Sequence, residues 1–242
     1  MELARQREFL EAELARQGAF LVPQTIERLM AYGRRLLAAN RSINLTGART
    51  WEQLVEEHLV DCAVGVSRVE WEEVRVAVDV GSGGGLPGLV LALMKPELRL
   101  RLVEARRKRA EFLRRCAGEL GLERVEVVAA RVEELAHRPD WREAAERVTA
   151  RGVAPLAVLV EYALPLLARG GWLLAWKGPA VGEELAAAQA ALRVLGGRVR
   201  ERYPYRLAGG RERWLVVVEK VGPTPEEYPR RAGLPERRPL GG

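Results

Sequence analysis

The chain has 242 residues, 48% hydrophobic and 30% charged, with a net charge of +6. That length carries one large domain with a buried core, or one domain plus a helical extension. No apolar run approaches the roughly 20 residues of a bilayer span, and the charge-rich stretch 1–16 lacks a signal peptide's apolar segment, so a cytoplasmic protein without membrane contact is expected.

Residues 1–66 read as helices. Leu3, Phe9, Leu10 and Leu14 recur at helical spacing, and after Pro23 so do Ile26, Leu29, Met30, Leu36 and Leu37. The run 40–47 breaks the pattern. Thr50, with Gln53 three residues on, has the spacing of a capping box, and Leu54, Val55, His58 and Leu59 then share one side.

Residues 67–221 change rhythm. Strands are expected over 74–80, 99–104, 125–129, 147–150 and 171–176. Helices are expected over 86–94, 106–120, 132–136, 156–168 (bent at Pro165) and 182–195. The last two strands, 198–206 and 213–220, flank the short turn Ala208-Gly209-Gly210 and form an antiparallel hairpin. Alternating strands and helices give an α/β fold, a doubly wound parallel sheet with an antiparallel edge hairpin. Residues 222–242 are rich in Pro, Gly and Arg and read as an extended basic tail.

The first strand ends at Asp79-Val80 and opens into Gly81-Ser82-Gly83-Gly84-Gly85-Leu86-Pro87-Gly88. Glycines let a backbone approach a ligand closely and adopt conformations barred to other residues. In a doubly wound sheet such a turn lies beyond the carboxyl ends of the strands, where nucleotides bind. Glu104 ends the second strand, 23 residues after Gly81, where a carboxylate can accept from both ribose hydroxyls of an adenosine. The segment Gly83–Gly88 formally matches GxGxxG, which keeps NAD in play. Asp79 favours S-adenosylmethionine instead: a buried acid there crowds a pyrophosphate but suits the methionine ammonium, directly or through water. No Walker lysine follows the turn.

Two cysteines, Cys62 and Cys116, are too few for a disulfide framework and read as buried small side chains. With only His58 and His137 besides, neither a metal site nor a hydrolytic triad is expected. The basic balance favours a polyanionic partner, though the scarcity of lysine beside arginine also follows from a GC-rich genome.

Further segments give the chain a resemblance to a known family. They are Asn44-Leu45-Thr46, His58-Leu59-Val60-Asp61, Asp79 through Gly88, Val103-Glu104-Ala105 with Lys108, Arg131-Val132-Glu133, Thr149-Ala150-Arg151, Lys177-Gly178, and Tyr228-Pro229-Arg230-Arg231 in the tail. The chain resembles the bacterial small-subunit ribosomal RNA guanine-N7 methyltransferases, the glucose-inhibited division protein B family. Two positions depart, Cys62 where the family has Ser and Gly152 where it has Ala, both small for small.

The resemblance implies a Rossmann-like methyltransferase that uses S-adenosylmethionine to methylate N7 of a guanine in 16S ribosomal RNA. Its partner is that RNA, the 30S subunit or an assembly intermediate, with no DNA, and a monomer is expected. The cofactor site would comprise Asp79, Gly81, Gly83, Gly85, Leu86, Glu104, Ala105, Val132, Glu133 and Arg151, with Val132 and Glu133 at the adenine. Arg151 lies near the methionine end or equally toward the RNA. Asn44, Lys177, Arg230 and Arg231 are the expected RNA contacts. No catalytic acid or base is assigned, because guanine N7 carries a lone pair and no proton.

Overall fold

The structure, a computed structural model, describes residues 1–241. It opens with four helices, α1 (Glu2–Arg16), α2 (Pro23–Asn40), α3 (Trp51–Leu54) and α4 (Val60–Ser67). The sheet follows as β1 (Val76–Val80), α5 (Gly88–Met94), β2 (Arg99–Val103), α6 (Arg107–Glu119), β3 (Val125–Val128), α7 (Val132–Leu135), β4 (Ala145–Arg151), α8 (Leu156–Ala163), β5 (Leu167–Lys177), α9 (Val181–Ala187), α10 (Gln189–Leu195), β6 (Gly197–Arg206) and β7 (Glu212–Lys220). A last turn of helix, α11 (Leu234–Arg237), lies in the tail. Strand order is β3-β2-β1-β4-β5-β7-β6. β1 to β5 run parallel, and β7 is antiparallel to both β5 and β6. This is the expected doubly wound sheet with an edge hairpin.

Alternation along the strands builds two cores, one on each face. Ala77, Leu100, Leu102, Leu174, Trp176, Leu215 and Val217 face α1, α2 and α4 to α6. Val78, Val80, Val103, Val148, Leu173, Ala175, Val216 and Val218 face α7 to α10. Residues 1–66 pack directly on the sheet. Leu10, Leu29, Leu36, Leu54 and Leu59 are fully buried in the same core as the sheet. Contact on this face is close: a side chain at Gly65 of α4 would overlap the Trp176 indole of β5.

Several expectations change in detail. Leu3 is more than half exposed. Thr50 Oγ1 accepts from Gln53 N, but the Gln53 amide oxygen accepts from Arg49 N, so the capping box is half made. Between α3 and α4 the chain widens into a π-helical turn, Val55–Leu59. The helix expected over 156–168 ends at Ala163. Pro165 sits in a 3₁₀ turn, Leu164–Leu166, and β5 starts at Leu167, earlier than expected, with an irregular register against β4. The helix expected over 182–195 is two helices meeting at Ala188.

The largest correction is the tail. Residues 222–241 fold back over α7, α8 and α10 rather than running free; Gly242 lies outside the described residues. Thr224 Oγ1 donates to Leu195 O, and Arg142 donates to the carbonyls of Thr224, Pro225 and Tyr228. Arginine's planar fork satisfies several buried carbonyls at once, which apolar periodicity does not reveal. Among the described residues no helix is long and apolar enough to cross a membrane, and no His, Cys, Asp and Glu cluster could hold a metal.

Candidate functional site

The parallel strands end at one edge of the sheet, and the candidate residues sit there in strand order. Asp79 is the penultimate residue of β1, Glu104 follows β2, Val132 and Glu133 open α7 after β3, and Arg151 ends β4. Gly81, Gly83 and Gly85 adopt φ of +66°, +55° and +97°, the left-handed region that strains any residue with a Cβ. A Cβ on Gly81 would also lie 2.8 Å from Val153 of the β4–α8 loop. The turn therefore requires glycine for conformation and for space. The Leu86–Pro87 peptide within it is cis.

Glu104 ties the turn to the next strand. Its Oε2 accepts from Gly83 N at 2.9 Å and its Oε1 from Arg106 N at 2.8 Å. Each oxygen keeps a lone pair for a further donor. Asp79 lies deeper, without solvent exposure. Its Oδ1 accepts from Thr149 Oγ1 at 2.6 Å, and its Oδ2 has no partner. That oxygen fits only because Gly88 lacks a Cβ, which would stand 2.6 Å away. Burial pushes the Asp79 carboxyl up to about 6, against the opposing Thr149 hydrogen bond.

Sequence reading missed the device that holds the turn from outside. Tyr32 of α2 is fully buried and donates to Gly84 O at 2.8 Å. A Cβ on Gly85 would meet its hydroxyl at 3.0 Å. Arg109 of α6 was also missed; it donates to Asn44 O at 2.8 Å and fixes the α2–α3 loop beside the turn. A tyrosine within an apolar helical face carries no sequence signal of its own. Thr149 does, since it heads the segment Thr149-Ala150-Arg151.

Arg151 is engaged inward. It pairs with buried Asp61 at 2.7 Å and donates to Glu57 O and His58 Nδ1, each at 2.8 Å. The π-helical turn frees the Glu57 carbonyl for this contact. Tyr205 donates to the other Asp61 oxygen at 2.6 Å, and Trp176 Nε1 donates to Asp61 O. Because Arg151 can only donate, His58 Nδ1 accepts and the ring is neutral. Burial, then the Arg151 charge, drives the His58 pKa down to about 3. Its Nε2 is buried without a partner. The His58–Asp61 spacing thus serves a contact between the helical layer and the sheet. Cys62 and Cys116 are buried free thiols, and burial raises the Cys116 pKa to about 12.

Leu86, Val132 and Glu133 are buried and Ala105 is exposed; Glu133 Oε1 accepts from Gly233 N in the tail. The expected RNA contacts divide. Asn44 and Arg231 are exposed. Lys177 is buried, donating to Ala154 O and pairing with Glu184 at 2.6 Å. Arg230 grips Glu161, a fully buried carboxylate of α8, through its backbone N–H, Nε and Nη2 at 2.7–2.9 Å. Both cations are neutralised within the protein: buried Lys177 takes Glu184 as its counter-ion, and the fully buried Glu161 takes Arg230.

The arrangement fits an adenosine-containing cofactor. The turn provides a cradle that side chains would fill, a carboxylate waits at the β2 end, and Asp79 contributes an orphaned oxygen beneath. A relative from Pelotomaculum thermopropionicum, "Ribosomal RNA small subunit methyltransferase G", is 41% identical over 92% of this chain and 94% of its own length. One of the same name from Symbiobacterium thermophilum is 40% identical over 99% of this chain and all of its own. Among solved structures, cofactor-bound Rv0187 from MTB superposes with a TM-score of 0.58 at 16% identity, over 84% of this chain and 100% of that one, a likeness of fold. The family model described as "GidB: rRNA small subunit methyltransferase G" matches residues 25–207, and the chain belongs to that family.

Proposed function

We propose that this protein transfers a methyl group from S-adenosylmethionine to N7 of a guanine in 16S ribosomal RNA. The observation that carries the reading is the closure of the left-handed glycine turn onto Glu104, at the edge where the parallel strands end. Family membership supplies the substrate class. When bound, the cofactor supplies an electrophilic methyl on a sulfonium sulfur.

The chain's residues bind and orient. Gly81, Gly83, Gly85 and Leu86 form the cradle, Glu104 and Ala105 flank the ribose, and Val132 and Glu133 line the adenine side. Asp79 acts from below the turn, on the ammonium through water, since its carboxylate is fully buried. Arg151 sets the end of β4 near the methionine part. Guanine N7 has an in-plane lone pair and no proton, so no residue need remove one. Rate then comes from proximity and alignment in a preorganised site. Asn44 and Arg231 are the expected RNA contacts that remain exposed. We assign the protein to the cytoplasm, as a monomer acting on 16S RNA in the 30S subunit or in an assembly intermediate.

The test is transfer of labelled methyl to 16S RNA and to 30S subunits from cells lacking the enzyme, followed by mass-spectrometric mapping. A single 7-methylguanine is expected. No transfer to any ribosomal substrate overturns the reading. Tight NADH binding with none of S-adenosylhomocysteine would return the site to a dehydrogenase.

A further inference from the structure

The folded-back tail passes the candidate cofactor edge at Gly233 before its end packs against Ala190 of α10. Its strap, residues 223–238, lies beyond the residues matched by the family model. It is tied to α10 through Thr224, to the segment after α7 through Arg142 and His137, and to α8 through Arg230. His137 Nε2 lies 2.7 Å from Pro229 O. Tyr162, next to Glu161 on α8, donates to Glu236 at 3.2 Å. The strap then delivers one polar contact to the candidate site, Gly233 N to Glu133 Oε1 at 3.0 Å. Gly233 has φ +77°, so its amide is aimed by a turn that glycine makes without strain. Glu133 makes no other hydrogen bond among the described residues, which leaves Oε2 for a donor such as an adenine amino group.

We propose that the strap completes the adenine wall of the cofactor pocket, with Gly233 and Arg230 as positioning residues that hold Glu133 and α7 in the binding posture. The inference rests on the reading that Val132 and Glu133 lie at the adenine. α7 is a single four-residue turn and has no internal means of fixing its own tilt. Arg230 supplies the anchor, because the Glu161 carboxylate beneath it is fully buried and Arg230 is its charged partner. The strap and the cofactor therefore stabilise the same rotamer of Glu133, and binding at either one favours the other.

The test begins with the full-length protein. Hydrogen exchange of residues 229–236 is measured with and without S-adenosylhomocysteine, and slower exchange at Arg230 and Gly233 is expected on binding. Calorimetry then compares Arg230→Met, Glu133→Ala and the double variant. Each single change should weaken S-adenosylhomocysteine about tenfold, the scale of one lost hydrogen bond to a charged group. The double should be no weaker than the worse single. Arg230→Lys should recover part of the loss. 5′-Methylthioadenosine, which lacks the amino-acid part, should show the same fold-loss, while KM for RNA in Arg230→Met stays level. If Arg230→Met is too unstable to assay, Arg142→Ala releases the strap from its other side and must give the same loss. Unchanged cofactor affinity in a destabilised Arg230→Met makes the strap purely structural and overturns the proposal. A rise confined to KM for RNA makes it an RNA arm and overturns it too. If Glu133→Ala alone leaves S-adenosylhomocysteine binding unchanged, the adenine assignment itself fails, a separate result.

Discussion

The two faces of the sheet are covered by chain ends held in different ways. On one, residues 1–66 join the sheet's own core, with Leu10, Leu29, Leu36 and Leu54 fully buried. On the other, residues 222–241 lie over an already complete layer of helices and are held by discrete polar ties, Arg142 to three carbonyls and Arg230 to Glu161. Apolar burial is spread over many atoms and is lost cooperatively. Polar ties are few and directional, and each can be cut alone. The first face sets the frame that the glycine turn leans on, and the second trims one wall of the pocket.

The sharpest test of that contrast is Leu29→Ala. A fully buried leucine shared by α2 and the sheet should cost about 3 kcal/mol in urea unfolding, in one transition for the whole chain. A separate early transition for residues 1–66 would break the comparison. Next is Arg142→Ala, which strands three carbonyls of the strap for about 2 kcal/mol. Trypsin should then cut after Arg230 or Arg231 well before the remainder is attacked. Simultaneous loss of strap and core would show that the strap is integral after all.

The apolar face also carries polar contacts, among them that of His58 with Arg151. The folded pKa of His58, about 3, lies below the unfolded value of 6.5, so the unfolded chain binds the extra proton. Stability from this residue is full above 6.5 and falls with pH below it, by about 1.4 kcal/mol per unit. Asp79 works oppositely: its raised pKa, about 6 against 3.8, gives stability that is present below 3.8 and lost as pH rises through 6. The measurement is thus the difference between His58→Gln and the parent protein from pH 7 to 5.5. The parent should lose about 1 kcal/mol more. Equal slopes would show that burial and the Arg151 charge do not hold the ring neutral. The smallest effect is Tyr32→Phe. Loss of one hydrogen bond to Gly84 O should cost about 1 kcal/mol and weaken cofactor several-fold, as equilibrium dialysis would show.

The sheet, its edge hairpin and the glycine turn were legible because each rests on local periodicity or on glycines at fixed spacing. Asp79, Glu104 and Arg151 were legible as residues but not as bonds. Their partners Thr149, Gly83 and Asp61 lie 70, 21 and 90 residues away. Tyr32 and Arg109 were missed because a polar atom at the tip of a mostly apolar or surface helical side chain leaves no trace in the pattern. The tail misled for a physical reason. Its ties are mainly single hydrogen bonds, led by those of Arg142 and Arg230, with Tyr228 and Leu240 as scattered apolar contacts, so a segment with basic, proline-rich composition folds without an apolar stripe. Arg230 could have been suspected from the other end, since Glu161 falls inside the apolar run of α8, where an acid needs a partner.

The notch at Gly65 has a consequence for how the molecule is gauged. Trp176 fills the space a side chain would take there, and the same indole donates to Asp61 O four residues earlier on the helical layer. Asp61 in turn holds Arg151 at the end of β4. The standoff between helical layer and sheet is therefore machined to less than one methyl group, and that clearance is passed to the arginine at the pocket's edge. A substitution as mild as Gly65→Ala, far from any ligand, would act as a shim under the active edge.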